Sequence, residues 1–173
     1  MQELYVEPLH ELLRNKRRIE RELHIKLSHI GKNVFVEGKA ENEYLALEVL
    51  KAVQLGFSVD TSLHLKEEGI LLYEVNIKDV TKRKDFERVR GRIIGTHGRT
   101  LQTFKTLTGC SFSLSYNRVG IIGDSDDIQS AVDAVTSLIQ GSKQGNVYSR
   151  LEKQRREKRL SSRHIGLAFK KKE

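Results

Sequence analysis

Two stretches of the chain govern how it can fold. "HIKLSHIGKNVFVEG" (His24 to Gly38) and "CSFSLSYNRVGIIG" (Cys110 to Gly123) each contain two strand-like runs joined by a turn. In the second stretch Cys110, Phe112 and Leu114 alternate with Ser111, Ser113 and Ser115, the two-residue period of a half-buried strand. Asn117 and Arg118 read as its tight turn, and Gly31 and Lys32 as the turn of the first stretch. A helical segment follows each hairpin. "ENEYLALEVLKAVQLG" closes at Gly56, and "DSDDIQSAVDAVTSLIQG" starts from a capping Asp124 or Ser125, places Ile128, Val132, Val135 and Ile139 on one face, and closes at Gly141.

The segments before the hairpins also correspond. "ELYV" and then "PLHELLRNKRRIEREL" predict a strand and a helix whose Leu9, Leu12, Leu13, Ile19 and Leu23 face a core. "ILLYEVNI" (Ile70 to Ile77) predicts a strand, and "KRKDFERVRGRII" (Lys82 to Ile94) a helix carrying Phe86, Val89 and Ile93. After "GTHG" a further helix, "RTLQTFKTLTG", presents Leu101, Phe104 and Leu107 and stops at Gly109. The order strand, helix, hairpin, helix therefore occurs twice, about 85 residues apart, which predicts two related α+β units rather than a solenoid. "FSVDTSLHLKEEG" supplies a connecting helix starting at Ser58 or Asp60, and no Pro/Gly/Ser-rich linker intervenes, so the units are expected to pack together. The expected organisation is a first unit over 1–68, a second over 69–142 and a basic helix and tail over 143–173.

The formal net charge of +8 comes entirely from the last segment, since Lys143 to Glu173 carries 11 basic and 3 acidic residues. Within the remainder, Lys82 to Lys105 holds 8 basic and 2 acidic residues, whereas Val119 to Gly141 holds 4 acidic residues and no basic one. No apolar run approaches the roughly 18 to 20 residues that span a bilayer, and "MQELYVEPLHELL" lacks the form of a secretory signal, so a soluble, cytoplasmic protein without membrane contact is expected. Cys110 stands alone and is assigned to the buried side of its strand. His10, His24, His29, His64, His97 and His164 form no metal-binding pattern, and Asp124, Asp126 and Asp127 read as helix-capping residues. Neither a metal, a cofactor nor a catalytic residue is expected.

Chemistry concentrates in "RGRIIGTHGRTLQTF" (Arg90 to Phe104). Two glycines three apart interrupt amphipathic helical material that carries no acid. Glycine allows backbone angles and close approaches that a side chain obstructs, so Gly95, Thr96, His97 and Gly98 are candidates for backbone contact with a sugar-phosphate chain. The helix beginning at Gly98 or Arg99 offers its N-terminus to phosphate, Arg90, Arg92, Arg99 and Lys105 supply positive field, and Ile94 and Leu101 form an apolar wall for unstacked bases. Lys153, Arg155, Arg156, Lys158 and Arg159 make a second basic cluster on "YSRLEKQRREKRL". It reads either as an RNA or partner contact or as a solvated helix held by pairs such as Glu152 with Arg156. "RNKRR" (Arg14 to Arg18) carries the same two readings.

"RIIGTHGRTL", between two helices and followed by a hairpin and a third helix, resembles the GxxG core of a type I KH domain, a module that clamps about four nucleotides of single-stranded nucleic acid. "KAVQLGFSVDTSLHL", "RVRGRIIGTHGRTLQTFKTLTGCSFSLSYNRVGIIGD" and "GNVYSRLEKQRREKR" resemble the two-KH ribosome-assembly proteins of the partner of Nob family, in their short archaeal form. The resemblance implies two tandem type I KH-like domains, each a three-stranded antiparallel sheet covered by helices. It further implies a non-enzymatic factor that binds small-subunit ribosomal RNA near its 3' end on the pre-small ribosomal subunit and assists the Nob-type endonuclease in rRNA processing.

Two departures qualify it. The family fold places a GxxG near "LLRNKRRIER", but no glycine lies between Met1 and His29, so the first unit is expected to lack the clamp. The loop centre holds Thr96 and His97 where family members often carry a basic residue. "SSRHIGLAFKKKE" (Ser161 to Glu173) stays unassigned. The rival reading is a protein-bridging adaptor in ribosome assembly or translation, with RNA contact secondary.

Overall fold

The structure, a computed structural model, describes residues 2–7 and 9–170, with side chains as far as Ser162. It contains two three-stranded antiparallel sheets. The first is built from β1 (Gln2–Tyr5), β2 (Lys26–Ile30) and β3 (Asn33–Glu37), with helices α1 (Leu9–Leu23) and α2 (Ala40–Gln54). A short α3 (Val59–Leu63), capped by the Ser58 hydroxyl accepting from the Thr61 amide, leads to the second. That unit runs β4 (Ile70–Asn76), α4 (Ile77–Val80), α5 (Phe86–Ile94), α6 (Arg99–Thr108), β5 (Ser111–Ser115), β6 (Arg118–Asp124) and α7 (Ser125–Gln140), and α8 (Gln144–Lys170) follows.

Strand order is β1-β3-β2 in one sheet and β4-β6-β5 in the other, so each hairpin's second strand takes the centre. β2, β3 and α2 begin at Lys26, Asn33 and Ala40, and β5, β6 and α7 begin 85 residues later in each case, at Ser111, Arg118 and Ser125. The first strands, at Gln2 and Ile70, are only 68 apart. The second unit therefore holds extra chain between first strand and hairpin. In the shared register "GTHG" falls on His10 to Leu13, at the start of α1 and upstream of most of "LLRNKRRIER", and α1 runs through that place unbroken.

Local deviations from the sequence reading have identifiable causes. α5 starts at Phe86 instead of Lys82 because the Asp85 carboxylate accepts from the Arg88 amide at 3.1 Å and caps the helix there. Ile77 leaves the strand for α4, where the Asn76 side chain accepts from the Lys78 amide. The β5–β6 turn is Tyr116 and Asn117, not Asn117 and Arg118: Arg118 already pairs with Ser115, and Tyr116 takes a left-handed φ of 52°.

The central strand β6 joins the units. Val119, Gly120, Ile121, Ile122 and Gly123 are all buried. Successive side chains of a strand point to opposite faces. Val119 and Ile121 accordingly join the core under α5, α6 and α7, whereas Ile122 joins the core of the first unit, beside which Ile70 and Leu72 also pack. A Cβ on Gly120 would meet the Phe57 ring at 2.6 Å, so that backbone lies directly against the first unit. Ser113 Oγ donates to the Leu55 carbonyl at 2.9 Å across the same junction. The serine face of β5 is thus half-buried rather than solvated. Cys110 is fully buried as expected, and that burial pushes its thiol pKa up.

Because Ile122 belongs by chain to one unit and by packing to the other, Ile122→Ala is expected to lower stability by about 2–5 kcal/mol. Urea unfolding checks this, with a matched loss of protection in both sheets by hydrogen exchange.

Candidate nucleic-acid interface

The segment between α5 and α6 is a single turn over Thr96–Gly98. Gly95 has φ 74° and ψ 175°, His97 φ 52°, and Gly98 φ 75°. Three of four consecutive residues therefore lie at positive φ, which L side chains adopt reluctantly. The turn holds itself by backbone bonds: the Gly95 amide donates to Gly91 O at 2.8 Å, and the Gly98 amide to Gly95 O at 3.2 Å. At Gly95 the need for glycine is also steric. A Cβ there would lie 2.2 Å from Thr100 Oγ1 and 2.8 Å from the Thr100 nitrogen, whereas one on Gly98 would meet nothing within 4 Å.

The glycines have different duties. Gly95 lets the chain fold tightly onto the buried Thr100, and Gly98 opens α6 in the left-handed conformation without a side-chain cap. The first turn of α6 contains no acid, and Thr96 and His97 between the glycines are exposed. The amides of Gly95, Gly98 and Arg99 are taken up within the turn, by Gly91 O, Gly95 O and Thr96 O, so what the turn offers to phosphate is the positive end of a ten-residue helix without a side-chain cap.

The expected cations separate by environment. Arg99 and Lys105 are exposed and carry no side-chain ion pair among the described residues. Arg90 is half-buried, with Glu87 3.9 Å away. Arg92 is engaged within the protein, its guanidinium donating to the Ser142 carbonyl at 2.5 Å. Ile94 is 39% exposed, and Leu101 is half-buried against the second core.

α8 begins beside the turn. Its Val147 and Leu151 are buried in the second core, and Tyr148 meets the Phe104 ring edge-on at 5.9 Å. Residues 152–162, which follow on α8, are exposed. Arg155, Arg156 and Arg159 line a recess with Leu107, Glu152 and Leu160. Lys153 is exposed, while Lys158 pairs with Asp127 at 2.7 Å, a contact that raises the lysine pKa. Among the described residues the helix's ion pair is therefore Lys158 with Asp127 rather than Glu152 with Arg156. The Asp124 carboxylate accepts from the Asp126 amide and caps α7. On α1, Arg18 is paired with Asp60, and Arg14 and Arg17 are exposed.

Two residues at the turn escaped the sequence reading. Thr100 is buried, and Gln144 reaches it from α8. No local pattern links residues 44 positions apart, so the contact has no sequence signature. Among the described residues no group of three or more His, Cys, Asp or Glu is placed to hold a metal, and no helix is long and apolar enough to cross a membrane.

The model of the second KH domain of PNO1, described as a eukaryotic-type KH domain (KH-domain type I), matches residues 72–156. A KH domain-containing protein of Methanocaldococcus jannaschii is 29% identical over 81% of this chain, and the match spans 65% of that relative's length. The RNA-binding protein pno1 of Dictyostelium discoideum is 32% identical over 61% of the chain, which spans about half of that relative, 46%. A protein of unknown function from Aeropyrum pernix has a TM-score of 0.85 at 29% identity, covering 97% of both chains. The Pyrococcus horikoshii structure of an a/eIF2alpha, aDim2p and rRNA complex superimposes with a TM-score of 0.82 at 28% identity over 90% of this chain and 94% of that one. Dim2p of Pyrococcus horikoshii is 31% identical with a TM-score of 0.79, over 88% of this chain and 99% of that one. With the glycine turn in its place between α5 and α6 and both sheets matched, the chain belongs to the PNO1/Dim2 family of KH-domain proteins.

Proposed function

We propose that the protein is a single-stranded RNA-binding factor of ribosome assembly, held on small-subunit ribosomal RNA near its 3' end by the turn Gly95–Gly98 and acting beside a Nob-type endonuclease in the cytoplasm. The observation that carries the reading is the pair of positive-φ glycines at an uncapped helix N-terminus. A phosphate run across that turn meets the positive end of α6 and no carboxylate in its first turn. Arg99 and Lys105 add attraction at a distance, and Ile94 and Leu101 offer apolar surface to bases that have left a stack. The names of relatives support the substrate class, among them a pre-rRNA-processing protein of Schizosaccharomyces pombe, as does the ribosomal RNA in the Pyrococcus horikoshii complex. In this reading the mechanism is binding alone. The first unit, over 1–68, lacks the clamp and serves packing or partner contact.

A second reading rests on the exposed basic half of α8 and the exposed Arg14 and Arg17 of α1: an adaptor that bridges protein partners, with RNA contact secondary. Capture of a Nob-type endonuclease by the full chain separates the two. Association that survives nuclease treatment favours bridging, and association that is lost with the RNA favours tethering.

Replacing Thr96 and His97 together by aspartate is expected to weaken binding of a single-stranded oligoribonucleotide by at least about tenfold without changing the melting temperature, because both side chains are exposed. Unchanged affinity and salt dependence in a folded variant would refute the clamp. Arg99→Ala should flatten the slope of log affinity against log salt by about 0.7, the value of one phosphate contact on a single strand.

The two glycines are predicted to respond differently to alanine. Gly98→Ala should cost about 1–2 kcal/mol, the penalty of left-handed backbone alone. Gly95→Ala adds the collision with Thr100 and should cost at least about 1 kcal/mol more. Chemical denaturation of both variants measures the gap.

A further inference from the structure

The sharpest polar contact near the turn comes from outside the helix-turn-helix. Gln144, the first residue of α8, places its side-chain nitrogen 3.1 Å from the Arg92 carbonyl and 2.9 Å from Thr100 Oγ1. Arg92 lies in the last turn of α5, and Thr100 in the first turn of α6. One carboxamide therefore spans both helix ends between which the turn is strung. Its NH2 group has two hydrogens, enough to serve both acceptors from a single nitrogen. A return contact runs the other way, from the Arg92 guanidinium to Ser142 O, so the α7–α8 connection and the end of α5 hold each other twice.

Thr100 makes this contact consequential. It is 2% exposed, and it is the residue against which Gly95 is packed so closely that a Cβ would not fit. Moving Thr100 moves the wall that defines the Gly95 conformation. α8 in turn is anchored by Val147 and Leu151, which fixes the base from which Gln144 reaches. We infer that Gln144 is a positioning residue that holds the Gly95–Gly98 turn in its RNA-binding geometry from outside the two helices that carry it, so that α8 is a working part of the clamp. The inference rests on the RNA-clamp reading for its functional half and on the hydrogen bonds alone for its structural half.

The full chain is used in four forms beside the wild type: Gln144→Leu, which keeps the bulk and loses both donors; Thr100→Val, which keeps the β-branch and loses the acceptor; their combination; and Asn146→Ala, an exposed change on the next part of α8. Amide hydrogen exchange of Gly98, whose N–H bonds to Gly95 O, is followed with affinity for a single-stranded oligoribonucleotide and its salt slope. Thr100→Val is expected to speed exchange at Gly98 about fivefold, the scale of one hydrogen bond, and Gln144→Leu, which loses two, by at least as much, each weakening RNA binding in proportion. The salt slope should stay at the wild-type value, because no phosphate contact is removed. The double variant should be less affected than the product of the two single effects, since the changes break one shared bond, and Asn146→Ala should match the wild type.

Unchanged Gly98 exchange in Gln144→Leu, or full multiplication of the two effects, overturns the inference. Faster exchange with undiminished RNA affinity in Gln144→Leu, while the Thr96 and His97 aspartate variant does lose RNA, overturns its functional half. If neither variant loses RNA although exchange at Gly98 rises, the positioning role stands and the clamp reading is what fails.

Discussion

Everything else in the molecule hangs on β6 being buried on both faces. A strand at the centre of an antiparallel sheet usually shields one face and wets the other. Here Ile121 is committed to one core and Ile122 to another, and Gly120 brings the backbone against Phe57. The sheet of the second unit is consequently a partition between two cores. Its helical side presents α5 and α6, and its opposite side is closed by Leu55, Phe57 and the Ser113 hydrogen bond. The helices that carry the turn are thus mounted on a sheet that has no solvent-filled gap behind it along that strand.

On this mount the turn between α5 and α6 combines an unfavourable conformation with a favourable field. Positive φ at Gly95, His97 and Gly98 sets the backbone in a shape that the chain adopts only because the flanking helices over-determine it. What is gained is a helix N-terminus that no side chain caps. The first unit shows the alternative outcome of the same plan. There α1 runs unbroken through the corresponding positions, with Leu12, Ile19 and Leu23 buried, and the segment is given over to packing.

Much of this was legible in the residues. The hairpins, the apolar helices after them and the closing glycines Gly109 and Gly141 follow from periodicity and from the left-handed cap that glycine accepts. "GTHG" announced a turn because two glycines inside amphipathic material have few other uses. Less legible was anything that depends on a neighbour distant in sequence. The serines of β5 look like a wet face, yet all three are half-buried, and Ser113 bonds to Leu55, 58 residues away. "VGIIG" did carry a hint, since an apolar run without alternation suits a strand enclosed on both sides. Arg92 and Lys158 read as surface charge, yet the Ser142 carbonyl and Asp127 occupy them. Gln144 gave no signal at all, because a single glutamine at a helix start has no pattern to betray its partner.

The shared strand has a mechanical meaning as well. Two modules on a flexible tether can grip separate ligands and still leave them free to tumble past each other. A chain whose central strand serves both cores has no such joint: a body docked on the first unit and a nucleic-acid strand gripped at Gly95–Gly98 would be carried in one frame, at a set angle and separation. Docking on one unit would then impose a heading on whatever the other holds, in the manner of a jig rather than a leash.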